Sequence, residues 1–276
     1  MKINLKECME NVRTNTPLVH NITNYVTVND CANILLACGA SPIMSDDIND
    51  VEDITSICSG LNINIGTLNG NTIPSMFAAG KKANELSHPV LLDPVGAGAS
   101  NIRTKTSLDL LNQVQFTAIR GNISEIKVLA SGSGNTRGVD ADISDTVTKD
   151  NIKSVIEFAK EFARKTNSII AITGATDIIT DGEKAVCVYN GDAAMSKITG
   201  TGCQLSAMMT AYICANPENI FDACCTAVIA MGVCGEIAKK RMTEQDGNSS
   251  YRNYIIDAIY NLDSETLERW ARYEIC

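Results

Sequence analysis

What most constrains this chain is a rhythm. Short, almost wholly apolar runs recur, and each early one is followed by a longer segment with apolar residues three and four positions apart. The runs at 17–20, 42–44, 61–65, 90–92, 116–119 and 168–172 read as strands buried on both faces, since a strand with one wet face would alternate polar and apolar residues. The segments at 26–38, 51–58, 72–86, 107–114, 124–129 and 152–165 read as helices. This order predicts an α/β fold with a mostly parallel central sheet and helices on both faces.

The later half departs from that rhythm. The stretch DIITDGEKAVCVY holds two strand-like runs, 177–180 and 185–189, on either side of Asp181-Gly182, which reads as an antiparallel hairpin. Beyond it come helical patterns at 202–215, 220–241, 251–260 and 265–273 with no strand between them. The opening MKINLKECMENVRTN reads as a short amphipathic helix. SGSGNTRGVDADIS (131–144) is the most loop-like stretch, yet too short for a flexible interdomain linker. With no tandem repeat, residues 1–276 are expected to form a single domain.

Composition bounds the partners. A net charge of −9 repels nucleic acid and anionic lipid, so neither is an expected partner. No apolar run reaches the ~18 residues of a membrane span, and the N-terminal stretch lacks the apolar core of a signal peptide. The 11 cysteines include no CxxC pair, which argues against a thiolate zinc site. They read mostly as small buried hydrophobes in a reducing cytoplasm, the expected location.

In open α/β sheets ligands bind beyond the carboxyl ends of the strands. There this chain carries HNITN, MSDD, GTLNG, DPVGAGAS, RGNISE and TGATD, with TGTGC opening a later helix. The glycines of TGTGC would let backbone amides approach an anion at a helix N-terminus, or serve only close packing. Cys203 follows them. A cysteine there is expected to have a pKa below its free value of about 8.5 and to act as a nucleophile or as acceptor of a substrate proton. A nucleophile would need a histidine. His20 ends a strand, whereas His88 precedes one and belongs to the other end of the sheet. Asp93 suits a metal- or phosphate-bound water, or a plain turn. Arg120 suits a forked phosphate contact. Glu125 can face hydrated magnesium while serving as the partner of Asn122 in a capping box. No P-loop, strand-coupled GxGxxG or protein-kinase motif set is present.

Taken together, PLVHNITNYVTVNDCANILLACGASPIMSDD, NINIGTL, LLDPVGAGAS, IRGNISEI, AITGATD and ITGTGC closely resemble the hydroxyethylthiazole kinase family. The resemblance runs from about residue 17 to the helix after Cys203. Related sugar and pyrimidine kinases of the ribokinase-like superfamily carry GxGD where this chain has GTGC. The resemblance implies a ribokinase-like fold and ATP-dependent phosphorylation of 4-methyl-5-(2-hydroxyethyl)thiazole, a step of thiamine salvage, with magnesium. It implies a homotrimer with sites between subunits. Carried over by motif, Cys203 is catalytic, Arg120 and Thr173 contact ATP, and Met44 and Gly200 contact the thiazole, with Asn24, Gly66 and Thr67 nearby. Asp93 and Glu125 are the magnesium-side carboxylates, held through water. The rival readings are a hydroxymethylpyrimidine-type kinase on the same fold, a hydrolase using Cys203 and His20, and a non-catalytic thiazole or thiamine sensor. The cysteine in place of aspartate argues against the first. The intact set of Arg120, Glu125 and Cys203 argues against the last.

Overall fold

The computed structural model describes residues 2–132, 147–148 and 150–276. The elements in chain order are α1 (Leu5–Asn15), β1 (Leu18–Ile22), α2 (Val28–Cys38), β2 (Ser41–Met44), α3 (Val51–Ile57), β3 (Gly60–Asn64), α4 (Thr72–Glu85), β4 (Val90–Asp93), α5 (Asn101–Gln113), β5 (Ala118–Gly121) and α6 (Ile123–Gly132). There follow α7 (Ile152–Thr166), β6 (Ile169–Ile172), β7 (Asp177–Thr180), β8 (Ala185–Val188), α8 (Thr201–Ala215), α9 (Ile220–Arg241), α10 (Asn248–Asn261), α11 (Ser264–Trp270) and β9 (Tyr273–Ile275).

The strands form one nine-stranded sheet in the order β2-β1-β3-β4-β5-β6-β7-β8-β9. Pairings from β2 through β6 are parallel, and β7, β8 and β9 each run antiparallel to the strand before them. Alternation along each strand divides the core in two. Val19, Leu91, Ala171 and Val186 face a layer containing residues of α1, α2, α8, α9, α10 and α11. Ile22, Leu92, Ile170 and Cys187 face one containing residues of α3, α4, α5, α6 and α7. Both faces are dry, which is why the strands carry so few polar residues.

All eight expected strands are present, with ends moved by a residue or two, and the hairpin turns at Asp181-Gly182. Three elements correct the sequence reading. Helix α5 starts at Asn101 rather than 107, capped by Ser100, whose Oγ accepts from Arg103 N at 3.4 Å. Its first turns are polar and show no apolar period. A 3₁₀ helix spans Ala193–Lys197 where none was expected. The last helix stops at Trp270, and residues 273–275 form β9, an edge strand too short for periodicity to reveal. Within the expected loop 131–144, Ser131 and Gly132 close α6, and the remainder lies outside the described residues.

Helix α9 is long and apolar enough to cross a membrane by length and composition, a broader apolar stretch than the sequence reading counted. Its most apolar window, of mean hydropathy 1.7, is 83% buried inside the fold. It is a core helix, lying against α8 and α10. Helix α1 closes the same layer from the other end of the chain, packing on α8, α9 and α11. Asn11 Nδ2 donates to Asn216 Oδ1 at 2.8 Å, and Ser264 Oγ donates to Glu10 Oε1 at 3.1 Å.

Candidate active site

Parallel strands deliver their last residues to one edge, and here that edge is polar and buried. Asn24 follows β1, Asn64 ends β3, Asp93 ends β4, Arg120 lies in β5 and Thr173 follows β6. The N-terminus of α8 meets them. Burying so many polar groups is tolerable only if they satisfy one another, and most do. Asn24 Nδ2 donates to Asn64 Oδ1 at 3.1 Å and to Cys203 Sγ at 3.2 Å. Its Oδ1 accepts from Thr27 N at 3.1 Å and Thr27 Oγ1 at 3.0 Å. Asn64 Nδ2 donates to Asp93 Oδ2 at 2.9 Å, and Ser206 Oγ donates to the same oxygen at 2.8 Å. Arg120 Nη1 lies 3.5 Å from it, while Nη2 reaches Thr173 Oγ1 at 2.5 Å.

These contacts join Cys203, Asn24, Asp93, Arg120 and Thr173 into one chain of interactions. Gly66 and Thr67 stand beside it. Gly66 N donates to Asn64 Oδ1 at 2.9 Å, and Thr67 Oγ1 accepts from Tyr25 N at 3.2 Å. Gly200 precedes α8 at φ 89°, a left-handed conformation, and a Cβ there would overlap the Thr27 methyl. Gly202 lies so close to Arg120 that a Cβ would fall 2.5 Å from Nη1. The two glycines thus fit α8 against α2 on one side and against the guanidinium on the other. Met44 ends β2 half-buried against the α8–α9 core and joins no polar contact of the cluster. Asn64, Thr27 and Ser206 were not singled out from the sequence. Asn64 was legible in principle, being a polar residue in an otherwise apolar run.

The electrostatics correct one expectation. The Cys203 thiol is pushed above its ordinary range, not below it. Burial is the largest cause and the Asp93 carboxylate adds to it, while hydrogen bonds to Thr27, Asn24 and Asn64 only partly oppose them. A helix N-terminus lowers a thiol pKa when the thiol is partly solvated; this one is 8% exposed. Asp93 is likewise raised by burial, against the Arg120 charge and the bonds from Ser206 and Asn64.

The histidines also resolve. His20 lies on the opposite face of β1 from Asn21, with Nδ1 at 2.9 Å from Thr55 Oγ1 and Nε2 at 2.9 Å from the Ser45 carbonyl. Val19 belongs to the layer that holds Cys203, so alternation turns His20 away from it. A Cys203–His20 hydrolase has no base. His88 sits between α4 and β4, at the other end of the sheet.

Glu125 forms the expected capping box. Its Oε2 accepts from Asn122 N, and Asn122 Oδ1 accepts from Glu125 N, both at 2.9 Å. Its Oε1 accepts from Gly96 N at 2.7 Å, tying the Asp93–Ser100 turn to α6. Among the described residues no group of three or more His, Cys, Asp or Glu side chains is arranged to hold a metal ion. Asp93 Oδ1 is buried without a hydrogen-bond partner. One orphaned carboxylate oxygen and one carboxylate held by amides suit a hydrated cation, which keeps its waters and leans on few protein oxygens.

A cavity of about 790 Å³ opens beside the cluster. Arg120, Asn122, Thr173 and Gly202 line it where it meets the cluster, and Asn190, Met195, Val228 and Met231 line it as well. Asp177 also lines it. Burial pushes that carboxyl up to about 7, against a bond from Gly174 N and the Arg120 charge.

Comparison with known proteins gives a consistent result. A profile of the hydroxyethylthiazole kinase family matches residues 9–265. A hydroxyethylthiazole kinase of Clostridium acetobutylicum is 66% identical over 270 residues, covering 98% of this chain and 99% of the relative. One from Clostridium tetani is 50% identical over 255 residues, covering 92% of each. The solved structure of a hydroxyethylthiazole kinase protein from Pyrococcus horikoshii superposes with a TM-score of 0.87 at 32% identity, covering 99% of this chain and 98% of that one. The pyridoxal kinase of Staphylococcus aureus, at 15% identity and a TM-score of 0.59, shares the fold, which is ribokinase-like.

Proposed function

The chain belongs to the hydroxyethylthiazole kinase family, and from that premise we propose that it transfers the terminal phosphoryl group of ATP to the hydroxyl of 4-methyl-5-(2-hydroxyethyl)thiazole, in thiamine salvage. The observation that carries this reading is the cavity ending at Arg120 and Gly202, one residue from Cys203. ATP enters with its phosphates toward Arg120 and Thr173. The thiazole lies between Met44, Gly66, Thr67 and Gly200, with its hydroxyl at Cys203. Residues 1–276 work as a single kinase domain in the cytoplasm. The test is mass-spectrometric detection of phosphorylated product with ATP, magnesium and a panel of thiazole and pyrimidine alcohols. Phosphorylation of a hydroxymethylpyrimidine instead of the thiazole would overturn the substrate assignment.

Phosphoryl transfer through a loose transition state depends mostly on positioning and charge stabilisation. Arg120 offers two donors to phosphate oxygens, releasing part of its hold on Asp93. The amides of the α8 N-terminus meet the charge that spreads over the moving group. Cys203, oriented by Asn24, accepts the hydroxyl proton late in transfer. A magnesium ion held through water near Asp93 and Glu125 would neutralise phosphate charge.

Glu125→Gln leaves one carbonyl oxygen where two carboxylate oxygens accept backbone amides. Turnover is expected to survive at saturating magnesium, while the concentration for half-maximal activity rises several-fold. An unchanged magnesium titration removes Glu125 from the cation's surroundings.

A homotrimer with sites between subunits is part of the same proposal. Its support is an apolar rim: Tyr25 is 76% exposed, Val26 58% and Ile48 48%, close in sequence to Asn24 and Met44. Dilution is expected to lower specific activity over the same concentration range in which sedimentation records dissociation. A fully active monomer would refute the shared site.

A further inference from the structure

One wall of the cavity is formed by residues from 190 to 196, between β8 and α8, and two distant parts of the chain hold it. Helix α9 supplies a notch and a hook. The notch is Gly232 and Gly235. A Cβ on Gly232 would stand 2.7 Å from Asn190 Cβ, and one on Gly235 would overlap the Met195 sulfur. The hook is Glu236, one position on. Its Oε1 accepts from Gly191 N at 2.7 Å and from Asn190 Nδ2 at 3.1 Å.

The segment before β9 closes the arrangement. Arg272 forks onto Glu236, with Nη2 to Oε1 at 2.7 Å and Nη1 to Oε2 at 2.9 Å. Its Nη2 also donates to the Tyr189 carbonyl at 2.9 Å. Its backbone N donates to Asn190 Oδ1 at 2.7 Å, while Asn190 Nδ2 reaches the Trp270 carbonyl at 3.0 Å. Every polar atom of the Asn190 side chain is thus used. Gly191, at φ 131°, lets the chain turn into the wall immediately afterwards. A single exposed ion pair contributes little, but the Glu236 side chain is only 13% exposed, and these bonds fix one loop from two directions.

We infer that Glu236 and Arg272 are positioning residues for the nucleotide: they set the wall formed by Asn190, Gly191 and Met195 without touching the reacting atoms. The inference rests on reading this cavity as the ATP site. Burial works against ionisation of Glu236, but the Arg272 fork and the bonds from Gly191 and Asn190 hold its carboxyl below the ordinary range, so the hook stays charged at neutral pH. Neither Asn24 nor Met44 lines this cavity, and β8, which leads into the wall, is separated from β1 and β2 by the width of the sheet, so the thiazole should not register the wall's loss.

The test compares Glu236→Ala, Arg272→Ala and Arg272→Lys with Arg120→Ala, by steady-state kinetics, ADP calorimetry and melting temperature. Glu236→Ala and Arg272→Ala should each raise KM for ATP and Kd for ADP about tenfold, the loss of one charge-assisted contact's worth of ordering. The kcat and the KM for thiazole should stay within about twofold. Arg272→Lys should recover part of the loss, since it restores charge but not the fork. If Arg120→Ala raises KM for ATP while the Glu236 and Arg272 variants change only the melting temperature, the clamp is purely structural and the inference fails. If Arg120→Ala also leaves ATP and ADP binding unchanged, the cavity is not the nucleotide site and both readings fall.

Discussion

Serine at position 203 is expected to lower kcat by about 10²- to 10⁴-fold, the usual range for a lost general base, while aspartate retains most of the activity. The raised thiol pKa makes the experiment sharper. A thiol held above its ordinary range is protonated at neutral pH, so the wild-type rate should climb with pH through neutral into alkaline solution. Aspartate starts from an ordinary value near 3.9. Burial and the neighbouring Asp93 would raise it, yet its climb should still begin at lower pH than that of the thiol. If Cys203 acts as the late base, no covalent enzyme intermediate is expected. The measurement is the pH profile of kcat for both variants, beside intact-protein mass spectra during turnover. A phosphocysteine adduct, or an aspartate variant that folds and binds both substrates but does not turn over, would overturn the base role.

Arg120→Ala should raise KM for ATP by roughly 10- to 100-fold, from the ~1.5–3 kcal/mol of a hydrogen bond to a charged group, and leave thiazole binding nearly intact. The same guanidinium is the chief influence opposing the effect of burial on Asp93. Without it, Asp93 should take up a proton more readily, and activity should fall off at a higher pH than in the wild type on the acid side. Lysine should rescue poorly, because a point charge cannot reach Thr173 and a phosphate in the fork that Arg120 provides. Calorimetry with each ligand decides the matter; equal losses for ATP and thiazole would make the residue a support of the fold.

The sheet was legible because its strands are dry on both faces, so their apolar runs stand out from the helices around them. The antiparallel addition was legible at Asp181-Gly182, a turn with its own chemistry. Strand β9 was not, since three residues at an edge carry no period, and the same holds for the polar opening of α5. The positions around Cys203 were legible as motifs, and they do converge at the carboxyl edge of the sheet. What no motif revealed was their environment. The spacing of ITGTGC places a cysteine at a helix start but says nothing about the depth at which that helix begins. That depth, with Asp93 alongside, reversed the expected direction of the thiol pKa. The clamp of Glu236 and Arg272 was invisible for another reason. Its members lie 36 positions apart and act on Asn190, 46 positions before Glu236, so only the folded chain brings them together.

Helix α1 closes the layer over α8, α9 and α11, and that closure has a consequence in time. Glu10 meets Ser264 across 254 positions of sequence. At roughly 5–20 residues per second, a ribosome takes tens of seconds to supply the second partner after the first. Only in the last few seconds of that interval, between completion of α9 at Arg241 and of α11 at Trp270, does the apolar surface of α9 stand with only part of its cover. The chain therefore passes through its stickiest state late in synthesis, and a holdase acting on nascent chains would find its grip on the stretch from Ile220 onward.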